Sequence, residues 1–283
     1  MSAVLVESHG ALVAARSPGV TSAVVMTMGA LHEGHAVLVR EARAAVGAGG
    51  CVIVTDFVNP MQFGAGEDLE RYPRSLEADV SISGAAGADL VYAPTVAEIY
   101  GEGSSGASIT VDPGPLGEIL EGAARPGHFR GMLTVVAKLL NLTAPDLALF
   151  GEKDYQQLIL ITEMVSQLNF PTKVVPVQTV REPDGLAMSS RNRYLSATER
   201  SLAAVVPRAL EETIRVAKDE GADAGLRAGL ELLSASPGLE VDYLVVTDPA
   251  LGAARPGAGR ALVAVRVGAT RLLDNMACTV AGP

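Results

Sequence analysis

The 283-residue chain has no tryptophan, and aromatic residues make up only 4% of it. Val, Leu, Ile and Ala must therefore fill its core, and a hydrophobic content of 48% is enough for a sizeable one. Cysteine is scarce. Cys51 and Cys278 lie far apart in no metal-ligand spacing, and they are read as buried thiols. Positive charge is also in short supply: 22 Lys and Arg face 32 Asp and Glu, the net charge is −10, and no long basic run occurs. Such a chain repels a phosphate polymer, which argues against a nucleic-acid substrate. A local cluster of donors can still hold a small anion. No apolar run is long enough to span a bilayer, and the first residues, with Glu7, His9 and Arg16, are not expected to form a signal peptide. The expectation is a cytoplasmic protein that binds neither membrane nor nucleic acid.

What the chain does have is a regular alternation. Strand patterns at Val24 to Met28, Cys51 to Phe57, Leu90 to Tyr92, Leu147 to Phe150 and Lys173 to Val177 are separated by helical periodicity at Glu33 to Val46, Leu76 to Gly87, Gly131 to Leu142 and Tyr155 to Leu168. Repeated strand–helix–strand units predict an α/β fold, a Rossmann-like doubly wound parallel sheet. The pattern changes near residues 179–183. A capping box at Ser196 and Glu199 opens a helix predicted to reach about Glu220, a second covers Leu226 to Ser234, and three strands follow, the last two joined by a Gly268-Ala269 hairpin. Residues 1–180 are thus expected to form the larger domain and 181–283 a smaller α+β domain.

Candidate chemistry lies at the junctions between these elements. Met26 to His35 puts His32 and His35 where a strand hands over to a helix, whose unpaired N–H groups attract phosphate. The same histidines can equally serve only to cap the helix. Zinc is disfavoured, because a metalloprotease helix needs histidines four apart. Asn59 to Phe63, at another strand end, offers the amides of Asn59 and Gln62, or else is an Asn-Pro turn with Gln62 exposed. Gly151 to Gln157 places Lys153 before a helix, as a phosphate contact or as a surface lysine paired with Glu152 or Asp154. Ser189, Ser190, Arg191 and Arg193 can wrap a polyphosphate tail or form a solvated basic loop. Arg125 to Gly131 is a further mixed basic and imidazole segment.

Together, Met28 to His35, Asn59 to Phe63, His128 to Gly131, Gly151 to Gln157, Met188 to Asn192 and Arg271 to Asn275 resemble the pantothenate synthetase (pantoate–β-alanine ligase) family, within the His-x-Gly-His nucleotidyltransferase superfamily. The resemblance implies an AMP-forming ligase that makes pantoyl adenylate from ATP and pantoate, then passes the acyl group to β-alanine. It implies a homodimer, a carboxyl-terminal lid and a magnesium requirement. His32, His35 and Lys153 are carried over as catalytic. Met28, His35, Gly151, Lys153, Asp154, Val180, Met188, Ser189, Ser190 and Arg191 are carried over as ATP contacts. Gln62, Gln157 and Met28 would hold pantoate, Gln62 would also meet β-alanine, and Asp79 would lie near magnesium. One departure is Met26, where the family usually has proline. The alternative is a nucleotidyltransferase of the same superfamily acting on another small substrate.

Overall fold

The computed structural model describes residues 2–64 and 69–282. The chain divides into two compact units, Met1–Gly151 with Gln157–Val177, and Glu152–Gln156 with Gln178–Pro283.

Through Val177 the chain runs β1 (Val4–Val6), α1 (His9–Ala15), β2 (Ser22–Thr27), α2 (Glu33–Val46), β3 (Cys51–Asp56), α3 (Leu76–Ala86), β4 (Leu90–Tyr92), α4 (Val96–Tyr100), α5 (Glu121–Ala124), α6 (His128–Thr143), β5 (Leu147–Gly151), α7 (Tyr155–Gln167) and β6 (Lys173–Val177). The six strands form one parallel sheet in the order β1-β4-β3-β2-β5-β6. Its centre reads as near-continuous apolar sequence because both faces are covered. Ala23, Val24, Val25, Val52, Ile53 and Val54 all have zero exposure. Val39, Ala36 and Ala42 of α2 and Ala86 of α3 pack into one cluster with Val25, Val54, Val91 and Leu149. At β2 the winding reverses, with β3 on one side and β5 on the other. In such sheets ligands bind beyond the carboxyl ends of the strands at that reversal, where the Met28–His32 turn and Gly151 emerge.

Several boundaries differ from expectation. The amino-terminal arm, unassigned by sequence pattern, supplies edge strand β1, which pairs with β4, and a helix capped by Ser8. Cys51 is only half-buried, since it opens β3, whereas Cys278 is buried. Burial raises the pKa of both thiols.

The second unit continues with α8 (Ala197–Ala203), α9 (Val205–Glu220), α10 (Ala222–Ser234), β7 (Leu239–Thr247), β8 (Gly257–Val267) and β9 (Thr270–Val280). The helix expected from Ser196 to about Glu220 is broken at Ala204. Pro207, in the first turn of α9, has no N–H to continue a helix entering from α8. The strands form an antiparallel β7-β8-β9 sheet. One of its faces packs Val263, Val265 and Leu272 against Val206, Ala209 and Leu210 of α9.

Candidate active site

In the first unit, the chain leaving β2 turns sharply into α2. Gly29 (φ +79°) and Ala30 (φ +52°) both take left-handed conformations. Gly29 is needed on a second count, because a Cβ there would lie 2.6 Å from Asp56 Oδ1 and 3.2 Å from Asp79 Oδ2. The carboxylate of Asp79, 1% exposed, accepts from the Ala30 N–H (3.0 Å), the Leu31 N–H (2.7 Å) and the Ser75 hydroxyl (3.0 Å). Asp56 lies beside it. Burial, the Asp79 charge and a hydrogen bond to Asp79 together push Asp56 up to about 7.

This clamped turn delivers His32 as the N-cap of α2. His32 Nδ1 accepts from the Gly34 N–H (3.1 Å), and the His32 N–H donates to His35 Nδ1 (3.3 Å). The rings lie 4.1 Å apart, tilted by 31°. A neutral imidazole that accepts at Nδ1 carries its proton on Nε2. The capping bonds therefore fix the tautomer of both rings, with an Nε2–H donor on each at a helix N-terminus. Capping thus engages Nδ1 of both rings.

Around Gln62 the structure overturns the exposed-turn reading. Gln62 is 8% exposed and Asn59 1%. Asn59 N-caps a single 3-10 turn, Pro60–Gln62, and receives the Tyr100 phenol at 2.6 Å, while its Nδ2 donates to Gln62 Oε1 (3.0 Å) and to Gly131 O (3.2 Å). Burial pushes the Tyr100 phenol up, so it remains a donor. Gln62 Nε2 points to Met28 Sδ at 3.0 Å, which brings those two expected pantoate contacts together. The Gln62 carbonyl accepts from His128 Nδ1 (2.9 Å), and Arg125 meets His128 Nε2 (3.0 Å). Helix α6 comes this close only because residue 131 is glycine: a Cβ there would lie 2.0 Å from Met61 O. The sequence reading offered Asn59, like Gln62, as an amide for a ligand, and named the Arg125 to Gly131 segment only as a further candidate. Their part is to hold Gln62. Gln157 is half-buried in the first turn of α7.

In the second unit, Glu152–Asp154 forms one 3-10 turn. Lys153 Nζ lies 3.5 Å from Asp154 Oδ1, and its side chain is 21% exposed. Glu152, the other partner weighed for it, pairs instead with Arg260 at 2.9 Å. Lys153, Ser189 and Arg191 line one pocket together with Ala187, Asn192 and Arg271. Ser189 N-caps the Ser190–Tyr194 turn, the Met188 N–H donates to Val180 O (2.9 Å), and Arg181 bridges to Ala187 across the loop. Arg193 is exposed. Burial raises Glu182, but hydrogen bonds from Arg200 and Asn192 outweigh it and hold the carboxyl below its ordinary value. That ties the loop to α8. Arg271 was missed as a pocket residue because it sits on a strand, outside any loop motif.

Among the described residues no helix is long and apolar enough to cross a membrane. The family model for pantoate-beta-alanine ligase matches residues 5–277. A pantothenate synthetase from a Nocardioides species is 54% identical over 94% of this chain and 81% of its own. The crystal structure of pantothenate synthetase from Thermus thermophilus superimposes with a TM-score of 0.89 at 46% identity, covering 96% of this chain and 98% of that one. A structure of pantoate-beta-alanine ligase from Francisella tularensis, complexed with beta-gamma ATP and beta-alanine, gives a TM-score of 0.79 at 32% identity, covering 97% of each chain. A family-model match over nearly the whole chain and a relative more than half identical to it agree: the chain belongs to the pantoate-beta-alanine ligase family.

Proposed function

We propose that the chain joins pantoate to β-alanine in an ATP-driven, two-step ligation. A pantoate carboxylate oxygen attacks the α-phosphorus, the bond to the pyrophosphate oxygen breaks, and pantoyl adenylate forms. The β-alanine nitrogen then attacks the acyl carbon, loses a proton, and AMP departs with both electrons of the acyl–oxygen bond. The carboxylate is already ionised at neutral pH, so the first step needs no base. It needs preorganised donors where charge shifts on phosphate.

The observation that carries this reading is the reciprocal cap of His32 and His35, which presents two Nε2–H donors at the start of α2. In this reading Lys153 neutralises phosphate charge while Ser189, Ser190 and Arg191 hold the leaving pyrophosphate. Met28, Gly151, Asp154, Val180 and Met188 complete the ATP contacts. Gln62, oriented by Asn59, and Gln157 bind pantoate. Gln62 also meets β-alanine.

Magnesium does not fit Asp79 as a direct ligand. Its carboxylate already serves three donors and Asp56, and among the described residues no group of three or more His, Cys, Asp or Glu is placed to hold a metal ion. Magnesium favours phosphate oxygens and water, so it is assigned to the incoming nucleotide and not to Asp79. A cytoplasmic homodimer is part of the same proposal and rests on family membership.

The test is AMP release with ATP, pantoate and β-alanine, each omitted in turn. Stoichiometric AMP and pantothenate with all three present support the reading. A product that retains the nucleotide would point to the superfamily's nucleotidyltransferases instead.

A further inference from the structure

Asp274 and Asn275 are adjacent on β9 and almost fully buried, at 2% and 3% exposure, although both side chains are polar. Burial of that kind needs full hydrogen bonding, and the partners are informative. Asn275 Nδ2 donates to two successive carbonyls, Glu152 O (3.0 Å) and Lys153 O (2.7 Å). Its Oδ1 accepts from Arg260 Nε at 2.7 Å. An arginine can only donate, so Arg260 dictates which way the amide faces. Arg260 itself is 7% exposed, pairs with the Glu152 carboxylate at 2.9 Å and lies 4.0 Å over the Tyr155 ring. Asp274 holds Arg181 through two bonds, of 2.7 and 2.9 Å, and Arg181 also donates to Gly185 O (2.9 Å) at the start of the loop that carries Ser189 to Arg191.

We infer that Asn275 is a positioning residue for Lys153, with Arg260 setting its amide so that it grips the turn from which the lysine projects. The inference rests on the proposed role of Lys153 at the phosphates. Asn275 touches no reacting atom in this scheme. It acts by fixing the two peptide groups that set where the Lys153 side chain begins. Arg260 orients that grip, and Asp274 does the matching service for the serine–arginine loop through Arg181.

The discriminating variant is Asn275→Asp. It keeps size and shape and still accepts from Arg260, but it turns a donor facing two carbonyls into an acceptor that repels them. The assay separates the half-reactions. Single-turnover adenylation is measured with ATP and pantoate, and aminolysis with synthetic pantoyl adenylate and β-alanine. Misplacing a charge-stabilising group by about 1 Å is worth roughly a hundredfold in rate. Asn275→Asp is therefore expected to slow adenylation about a hundredfold, with aminolysis changed less than about threefold. In a Lys153→Ala background the same substitution should add little, because residues acting through one group are not additive. Arg260→Gln, which leaves Asn275 in place but unoriented, should slow adenylation in the same direction by a smaller factor.

Equal slowing of both half-reactions, or an undiminished effect of Asn275→Asp on top of Lys153→Ala, would overturn the inference. So would failure of both variants to fold, since that would assign the pair to the fold and not to the lysine. If the wild-type chain makes no adenylate at all, it is the proposed ligation that fails.

Discussion

Replacing Asp56 with Asn should make stability markedly less dependent on pH between about 4 and 7. Burial, the neighbouring Asp79 charge and a shared hydrogen bond raise the Asp56 carboxyl from 3.8 to about 7 in the folded chain. In the unfolded chain it titrates at its ordinary value. Between those two points the folded state binds the extra proton, so stability falls as pH rises. The contribution is fully present below the unfolded value and lost as pH passes through the folded one. Every tenfold difference in proton affinity between the two states is worth about 1.4 kcal/mol, so this group can contribute at most about 4 kcal/mol. Residual solvent exposure screens part of that, leaving about 2 kcal/mol. Asparagine can donate to Asp79 as the protonated carboxyl does, but it cannot ionise. Urea unfolding at pH 5 and pH 8 would check this. The variant should exceed the wild type by less than about 1 kcal/mol at pH 5 and by about 2 kcal/mol at pH 8. An advantage of the same size at both pH values would refute the shared-proton account, as would a variant less stable than wild type at pH 8.

Three further substitutions probe other parts of the site. His35→Ala removes one Nε2–H donor and should slow adenylation about a hundred- to a thousandfold. It also strips the acceptor from the His32 N–H, at about 1 kcal/mol of stability, and wild-type pyrophosphate release in single turnover would refute the role. Gly131→Ala drives a Cβ to 2.0 Å from Met61 O and 2.8 Å from Gln62 N. It should lower stability by about 1–3 kcal/mol and raise the KM for pantoate, and an unchanged melting temperature would contradict the packing argument. A Cβ at Gly151 meets no atom within 4 Å, so Gly151→Ala should leave stability within about 0.5 kcal/mol while raising the KM for ATP. An unaltered KM for ATP would remove Gly151 from the nucleotide contacts.

Much of this was readable in the residues. The parallel sheet was legible because strands buried on both faces, such as Cys51–Asp56, are apolar throughout, and helix α2 was fixed at both ends by its periodicity. The α8–α9 break escaped because the pattern of buried positions continues across Ala204. The site motifs were legible at junctions, where functional residues gather on loops. Orientation was not. Nothing in the sequence says that His32 and His35 would cap one another, or that an Asn-Pro turn would bury Gln62 against a glycine far along the chain, on α6. Asn275 and Arg260 were invisible as supports for Lys153, because strand residues are read as core until their long-range partners are known.

The histidine corner and the lysine pocket are proposed to serve one reversible adenylation. Exchange of labelled pyrophosphate into ATP tests that claim most directly. The exchange should require pantoate, proceed without β-alanine, and fall sharply in both His35→Ala and Lys153→Ala. Exchange that requires β-alanine, or that persists in either variant, would contradict it.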